Sequence, residues 1–249
     1  MINRTLVIAR HCIEDALVGT LMRAYCLMVL LVMGVGWFAA ELAVIEQNAF
    51  RLAVTAALLR PLAVLVVILQ ICTGFNEAVR VGQLQLVLSL NLSRNQYLLA
   101  RVISGSCVAG LIAAIAIVSV APWSGWEAGL LWVSGLFLEL LLMSLFALFV
   151  VVTFGNLGAA VLVSLAFYLL CRFIESFVLM ATASSTGAVM DLLTGLSWLM
   201  PNFGRFSQSS WLIYGDGSLL KLQPLLIETM TVGGVLVLAA MIDFSRREI

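Results

Sequence analysis

The sequence has few of the residues on which soluble proteins and most enzymes depend. Only 10% of its 249 residues are charged, against about 25% in soluble domains. It has one histidine, His11, and one lysine, Lys221. Thirteen basic residues balance thirteen acidic ones, so no net positive charge is available to nucleic acid. The low charge excludes a water-soluble globular protein, because too few polar side chains are present to cover its surface.

Residues that carry active-site or metal chemistry are also missing. The five cysteines are widely spaced and form no CxxC pattern, so neither a disulfide framework nor a metal site is indicated. His11 precedes the apolar stretches, and none of the aspartates lies within one. Lys221 is not part of a GxxxxGK[ST] P-loop. We therefore expect no catalytic residue, no metal and no cofactor in this chain, and a chain that is not an enzyme by itself.

Apolar length is what the sequence has in abundance. Hydrophobic residues make up 63% of it. Six stretches reach the roughly 20 residues that a helix needs to cross a bilayer. We therefore expect an all-α membrane protein with a single transmembrane domain over residues 1–249. The predicted spans are 24–45, 52–75, 98–121 (ending at the Pro122 turn), 129–152, 158–182 and 224–242.

The basic residues predict the orientation of these spans. Eight lie in the tails and loops on the side of the termini or at the adjoining edge of a span, and three lie on the other side. By the positive-inside rule, both termini are expected in the cytoplasm. Before the first span, residues 2–21 have the apolar spacing of an amphipathic helix, which suits the headgroup layer. The polar lead of residues 1–23 and the length of the first span indicate an uncleaved anchor.

Two segments between spans are longer than simple turns. Residues 76–97 form the longest cytoplasmic connection, in which Leu84, Val87 and Leu88 share one face of a short helix. Such a helix either meets a partner protein or packs under the bundle. Residues 183–223 lie on the outer side and include an apolar stripe at 189–200 that predicts an interfacial or re-entrant helix. The aromatic residues there suit a headgroup belt, namely Trp198, Phe203, Phe206, Trp211 and Tyr214.

Four charged residues lie well inside the predicted spans, away from the ends of the spans. Glu139 is near the middle of the fourth, and Arg60 precedes Pro61 in the second, where we expect a kinked span with a partly buried arginine. Arg172 and Glu175 are three residues apart in the fifth, so a pair on one helix face is predicted. Two interpretations stay open: the charges pair between helices and hold the bundle, or they line a polar substrate path.

Several short motifs, in order along the chain, resemble those of type-2 ABC exporter permeases. Residues 77–82 (EAVRVG) and 86–101 (LVLSLNLSRNQYLLAR) are similar to the family's cytoplasmic loop, with Asn91 for the usual proline and Ala100 for the usual glycine. Residues 243–248 (DFSRRE) look like its closing element. Residues 201–206 (PNFGRF) resemble the outer segment of the branch that includes the nitrous-oxide-reductase-maturation and gliding-associated permeases.

The resemblance implies the transmembrane subunit of an ATP-driven exporter in a prokaryotic plasma (inner) membrane. It would work as a pair with a second copy or a sibling permease, above two copies of a separate ABC subunit that binds ATP and Mg²⁺. An accessory periplasmic or membrane protein would complete some such assemblies. The amphipathic lead would be the elbow helix, and 183–223 would close the exit. The coupling loop that seats on the ATPase would contain Glu77, Arg80, Gly82, Leu84, Val87, Leu88 and Arg94.

Two other functions are compatible with the sequence. The chain could be a scaffold or regulatory membrane subunit that transports nothing. It could also be an ion-coupled secondary transporter, although that class usually has internal repeats and broken helices near the midplane. The spans are rich in leucine, valine and alanine, which suits a lipid-like, amphiphilic or maturation-related substrate and equally suits an inert bundle.

Overall fold

The structure is a computed structural model that describes residues 10, 12–82, 94–184, 195, 200–206 and 208–246. These residues are mainly helical, and no β-strand occurs among them. Residues 12–18 are helical and bend at Gly19 before the first long helix. The helices that follow are α1 (Thr20–Leu42), α2 (Gln47–Arg80), α3 (Arg94–Ser124), α4 (Trp126–Phe154), α5 (Leu157–Ser184), the short α6 (Ser209–Ile213) and α7 (Leu219–Arg246).

Six of these helices are long and apolar enough to cross a membrane, so the described part of the chain is that of a multi-pass membrane protein. The six predicted spans coincide with them. Five predicted spans lie wholly inside their helices, whereas the first ends at Leu42 instead of residue 45. The all-α class and the number of spans are therefore confirmed, and most of the helices are longer than the spans predicted from hydropathy.

Three prolines lie within these helices, whereas two of the helix ends fall at glycines. α2 passes through Pro61, as expected for a continuous second span. The prediction that the third span stops at Pro122 is wrong, because α3 includes this proline and continues to Ser124. The chain breaks at Gly125, whose φ of 86° suits a residue without a Cβ. A second glycine, Gly155 with φ 66°, ends α4 in the same way.

α4 lies at the centre of the bundle. It is apolar all round, contacts α2, α3, α5 and α7, and is the most buried of the six long helices. The flanking helices α1, α5 and α7 keep much of their apolar surface exposed, which suits lipid. At the N-terminus, Ala16 is buried, and Gln70 Nε2 donates a hydrogen bond to its carbonyl oxygen at 3.4 Å. The remainder of the predicted 2–21 helix lies outside the described residues.

The alternation of the long helices gives the bundle two ends. The turn end contains the α1–α2 turn (residues 43–46), Gly125, residues 200–206 and α6. The terminal end contains residues 12–18, the end of α2, the start of α3 and the end of α7. One candidate site lies inside the bundle, on the side of the turn end, and the other lies at the terminal end.

Candidate functional site

An ion pair lies inside the bundle between α2 and α4. Arg60 Nε is 2.8 Å from Glu139 Oε2, and these side chains are 4% and 0% exposed. Each residue lies 13 positions after the start of its helix, at Gln47 and Trp126. At 1.5 Å per residue, both charges are about 20 Å from the turn end. The sequence predicted a partly buried Arg60, but the structure buries it almost completely.

Arg60 also binds the loop formed by residues 200–206, which we call the inner loop. Arg60 Nη2 donates hydrogen bonds to the carbonyl oxygens of Phe203, at 2.6 Å, and Phe206, at 2.7 Å. Arg172 Nη1 donates a further bond to the Phe203 oxygen at 2.9 Å. Arg172 lies 12 residues before the end of α5 at Ser184, or about 18 Å from the turn end. The inner loop therefore descends into the bundle to the level of the ion pair.

The inner loop is irregular, so its backbone groups need partners from outside it. Water is scarce inside a membrane protein, and an unpaired carbonyl there costs several kcal/mol. Arginine suits this role because its guanidinium presents five donors in a fixed fork. The Glu139 carboxylate offsets the charge that Arg60 brings into the bundle. The pair thus connects α2, α4 and the inner loop.

Asn202 holds the inner loop to α5 and α7. Its backbone N–H donates to Glu228 Oε1 at 3.0 Å, and its Nδ2 donates to Glu175 Oε2 at 3.1 Å. Its Oδ1 accepts a bond from the Gly204 N–H at 2.9 Å. Residue 202 therefore links α5 and α7 through the loop. A cavity of about 400 Å³ opens beside it and is lined in part by Glu175, Arg205 and Glu228.

The predicted pair of Arg172 and Glu175 is wrong. Three residues apart on α5, the two side chains point to different parts of the inner loop: Arg172 binds the Phe203 carbonyl oxygen, and Glu175 binds the Asn202 amide. The physical reason is that the inner loop offers the cation a backbone carbonyl oxygen, that of Phe203, and offers the carboxylate a side-chain amide, that of Asn202. Helical spacing alone does not reveal such a loop between α5 and α7.

The predicted aromatic belt is also wrong for three of its members. Phe203, Phe206 and Trp211 are buried in the core, whereas Tyr214 is 75% exposed and Trp198 lies outside the described residues. The Phe203 ring centroid is 5.7 Å from that of Phe206 and 6.0 Å from that of Tyr168. The two phenylalanines of this ring cluster are those whose carbonyl oxygens bind Arg60. The stripe at 189–200 lies almost wholly outside the described residues.

Sequence reasoning missed three residues of this site. Glu228 lies inside the sixth predicted span and was visible there as a charge. Asn202 and Tyr168 gave weaker signals, because an asparagine in a loop and a tyrosine in an apolar stretch are common in proteins whatever their role. Tyr168 interacts with the Glu139 carboxylate. The Arg60–Glu139 pair favours the interpretation in which the charges hold the bundle, because both side chains are buried and bound to protein groups.

A second cluster lies at the terminal end, around the predicted coupling loop. Glu77 and Arg80 are exposed on the last turn of α2, which ends where Gly82 has φ 73°. Leu84, Val87 and Leu88 lie outside the described residues. Beyond them, Arg94 begins α3, and its Nη1 donates a bond to the Ser245 carbonyl oxygen on α7 at 3.4 Å.

Aromatic residues join three helices at the terminal end. Phe244 of α7 lies between Phe75 of α2, at 6.5 Å, and Tyr97 of α3, at 6.2 Å between ring centroids. Arg101 Nε donates to the Tyr97 hydroxyl at 3.0 Å, and its Nη2 donates to the Gly74 carbonyl oxygen at 3.1 Å. The ends of α2, α3 and α7 are therefore fastened together on either side of residues 83–93.

In the described part of the chain, no group of three or more His, Cys, Asp or Glu side chains could hold a metal ion. No family model and no curated protein matches the sequence.

Proposed function

We propose that this chain is the transmembrane permease subunit of an ATP-driven ABC exporter for a lipid-like, amphiphilic or maturation-related substrate. In this proposal it lies in a prokaryotic plasma membrane with both termini in the cytoplasm. Two permeases, identical or sibling, pair above two ATP-binding subunits. The resemblance of the short motifs supports the family, and the cluster at the terminal end is the structural observation that supports coupling.

The length of α2 bears on how a partner would reach the bundle. Its 34 residues extend about 51 Å at 1.5 Å per residue, which exceeds the roughly 30 Å of hydrocarbon. In the proposal, its exposed charges Glu77 and Arg80 lie beyond the hydrocarbon at the terminal end. With α3 starting at Arg94, two helices lead from residues 83–93 directly into the bundle.

The contacts among α2, α3 and α7 at the terminal end would transmit a displacement of the coupling loop to several helices. Phe244 packs against both Phe75 and Tyr97, so displacement of α2 or α3 also displaces α7. α2 in turn contains Arg60, which binds the inner loop about 30 Å away at 1.5 Å per residue over the 20 residues to Arg80. In the proposal, the inner loop closes the exit, and the part of α2 from Arg60 to Arg80 connects this loop to the ATPase.

The experiment co-expresses the chain with the ABC-type ATP-binding subunits of its own genome and purifies the complex into lipid vesicles. We expect co-purification and vanadate-sensitive ATP hydrolysis. Leu88→Glu should remove the ATPase or uncouple hydrolysis from transport, since it places a charge in the apolar centre of the predicted interface. Arg94→Ala should have a milder effect, because a rim charge contributes less.

Val44→Glu serves as the control, since it adds the same charge to an exposed site in the α1–α2 turn at the opposite end, outside residues 183–223. It should leave assembly and hydrolysis unchanged. Wild-type assembly and coupled hydrolysis in Leu88→Glu would overturn the coupling role. Absence of any ATP-binding subunit from the complex, or hydrolysis that drives no transport, would overturn the exporter function in favour of an ion-coupled transporter or a scaffold.

A further inference from the structure

A second cavity at the turn end lies on the membrane-facing side of the bundle, between α1, α2 and α3. Its volume is about 430 Å³, and its lining is mostly apolar, with two tryptophans and two opposite charges. The residues used below are Trp37, Glu41, Arg51 and Trp123. No part of the buried ion pair or of the inner loop contributes to it.

Arg51 is held between the two indole rings. Its Cζ lies 4.0 Å from the ring centroid of Trp123 and 5.1 Å from that of Trp37, and the rings meet edge to face at 5.8 Å. Among the described residues Arg51 forms no ion pair, and its buried Nε has no hydrogen-bond partner. The rings orient the guanidinium and stabilise its charge, but they leave its donors available to an anion.

The cavity lies at the depth of lipid headgroups. Arg51 is on the second turn of α2, Glu41 is one residue from the end of α1, and Trp123 is one residue from the end of α3. Tryptophan is enriched at this level of a bilayer because its ring is both apolar and able to donate a hydrogen bond. The exposed rings of Trp37 and Phe38 show that the cavity opens toward the membrane.

The geometry points to a binding site for the headgroup of a zwitterionic phospholipid. Arg51 would take the phosphate, and Glu41, which lines the same cavity, would take the cationic group beyond it. The carboxylate disfavours an anionic headgroup by like-charge repulsion. An acyl chain could follow the exposed face of α1 that runs through Leu31 and Leu27. Gly34 leaves room there, since a Cβ would meet no atom within 4 Å.

The apolar lining and the position at a helix-end interface favour a lipid over free phosphate. A soluble anion would gain from Arg51 but nothing from the exposed side of α1, and Glu41 would repel it. A zwitterionic phospholipid is complementary to Arg51 through its phosphate, to Glu41 through its cationic group and to the exposed side of α1 through its acyl chain. The site requires only that the chain spans a membrane, so it does not depend on the proposed ABC function.

The test titrates the purified full chain in detergent with dioctanoyl phosphatidylethanolamine, dioctanoyl phosphatidylglycerol and inorganic phosphate, and reads bound ligand by native mass spectrometry. We expect the wild type to prefer phosphatidylethanolamine. Arg51→Gln should weaken its binding about tenfold, as loss of one charge-assisted contact does. Glu41→Gln should abolish or reverse the preference over phosphatidylglycerol. Arg51→Lys should retain part of the affinity, which separates loss of charge from loss of fold.

Lys221→Gln is the control, since Lys221 is an exposed cation at the same end of the bundle but outside this cavity. It should bind all three ligands like the wild type. Equal binding of both lipids to the wild type would show general contact with lipid and overturn the site. Wild-type affinity in Arg51→Gln, or displacement of lipid by an equal concentration of inorganic phosphate, would overturn it as well.

Discussion

Arg60 Nε lies 2.8 Å from Glu139 Oε2 at a depth where neither side chain has appreciable contact with solvent. Burying two charges has a large desolvation cost, and their mutual attraction offsets it only when further hydrogen bonds complete the geometry. The Phe203 and Phe206 carbonyl oxygens supply those bonds to Arg60. The pair is therefore best understood together with the inner loop that it holds.

This relationship predicts strong coupling between the two charged residues. Arg60→Met leaves the Glu139 carboxylate buried without its cation and should cost about 3–5 kcal/mol of stability. The double variant Arg60→Met/Glu139→Leu should be more stable than the sum of the single effects indicates. Thermal unfolding of the four proteins in one detergent measures the coupling. Arg10→Met, at an exposed site away from the inner loop, is the control and should change stability by about 0.5 kcal/mol or less. Additive single effects would contradict the pairing.

The partners of α5 predict a second pattern of coupling. Glu175→Gln and Asn202→Ala remove the two sides of one hydrogen bond, so their effects on unfolding should be non-additive by about 1 kcal/mol. Arg172→Gln should combine additively with Glu175→Gln, since the two residues bind different groups. A double-mutant cycle with coupling between Arg172 and Glu175 instead would restore the pair that helical spacing suggested.

Two glycines of α1 provide a matched test of helix packing. A Cβ at Gly36 would meet Thr55 Oγ1 on α2, whereas a Cβ at Gly34 would meet nothing within 4 Å. Gly36→Ala should therefore destabilise the protein by about 1–3 kcal/mol through overpacking. Gly34→Ala should be neutral or stabilise by up to about 1 kcal/mol, because alanine favours helix. Equal melting temperatures of the two variants would show that α1 does not pack on α2 at residue 36.

The proposed orientation can be tested with single cysteines in a background lacking the native five. Tyr214→Cys, at an exposed site of the turn end, should react with a membrane-impermeant maleimide added outside intact cells. Asn95→Cys, exposed at the terminal end, should react only after the cells are opened. The opposite result would place the termini outside and reject the assignment from basic residues. Tyr214→Ser and Asn95→Ser in the same background control for background labelling.

The sequence by itself determined the class of protein and the number of membrane-spanning helices. Both depend on local quantities, namely the length and hydropathy of each stretch, and these do not require knowledge of neighbours. The same local signal explains why Pro61 could be kept within one span. The local signal gave the wrong result at Pro122. An apolar stretch followed by a proline is compatible both with a helix that ends there and with one that continues.

Only the tertiary structure decided which charges meet. Arg60 is 79 residues from Glu139 and 143 from Phe203 along the chain, and their contact depends on the depth and facing of three separate elements. The mean hydropathy of a segment shows that the segment crosses the membrane. It does not show which face of the helix points toward which neighbour. The inner loop, the Asn202 contacts and the tryptophan cage around Arg51 arise from that facing and from packing, so no residue pattern within a single segment could have predicted them.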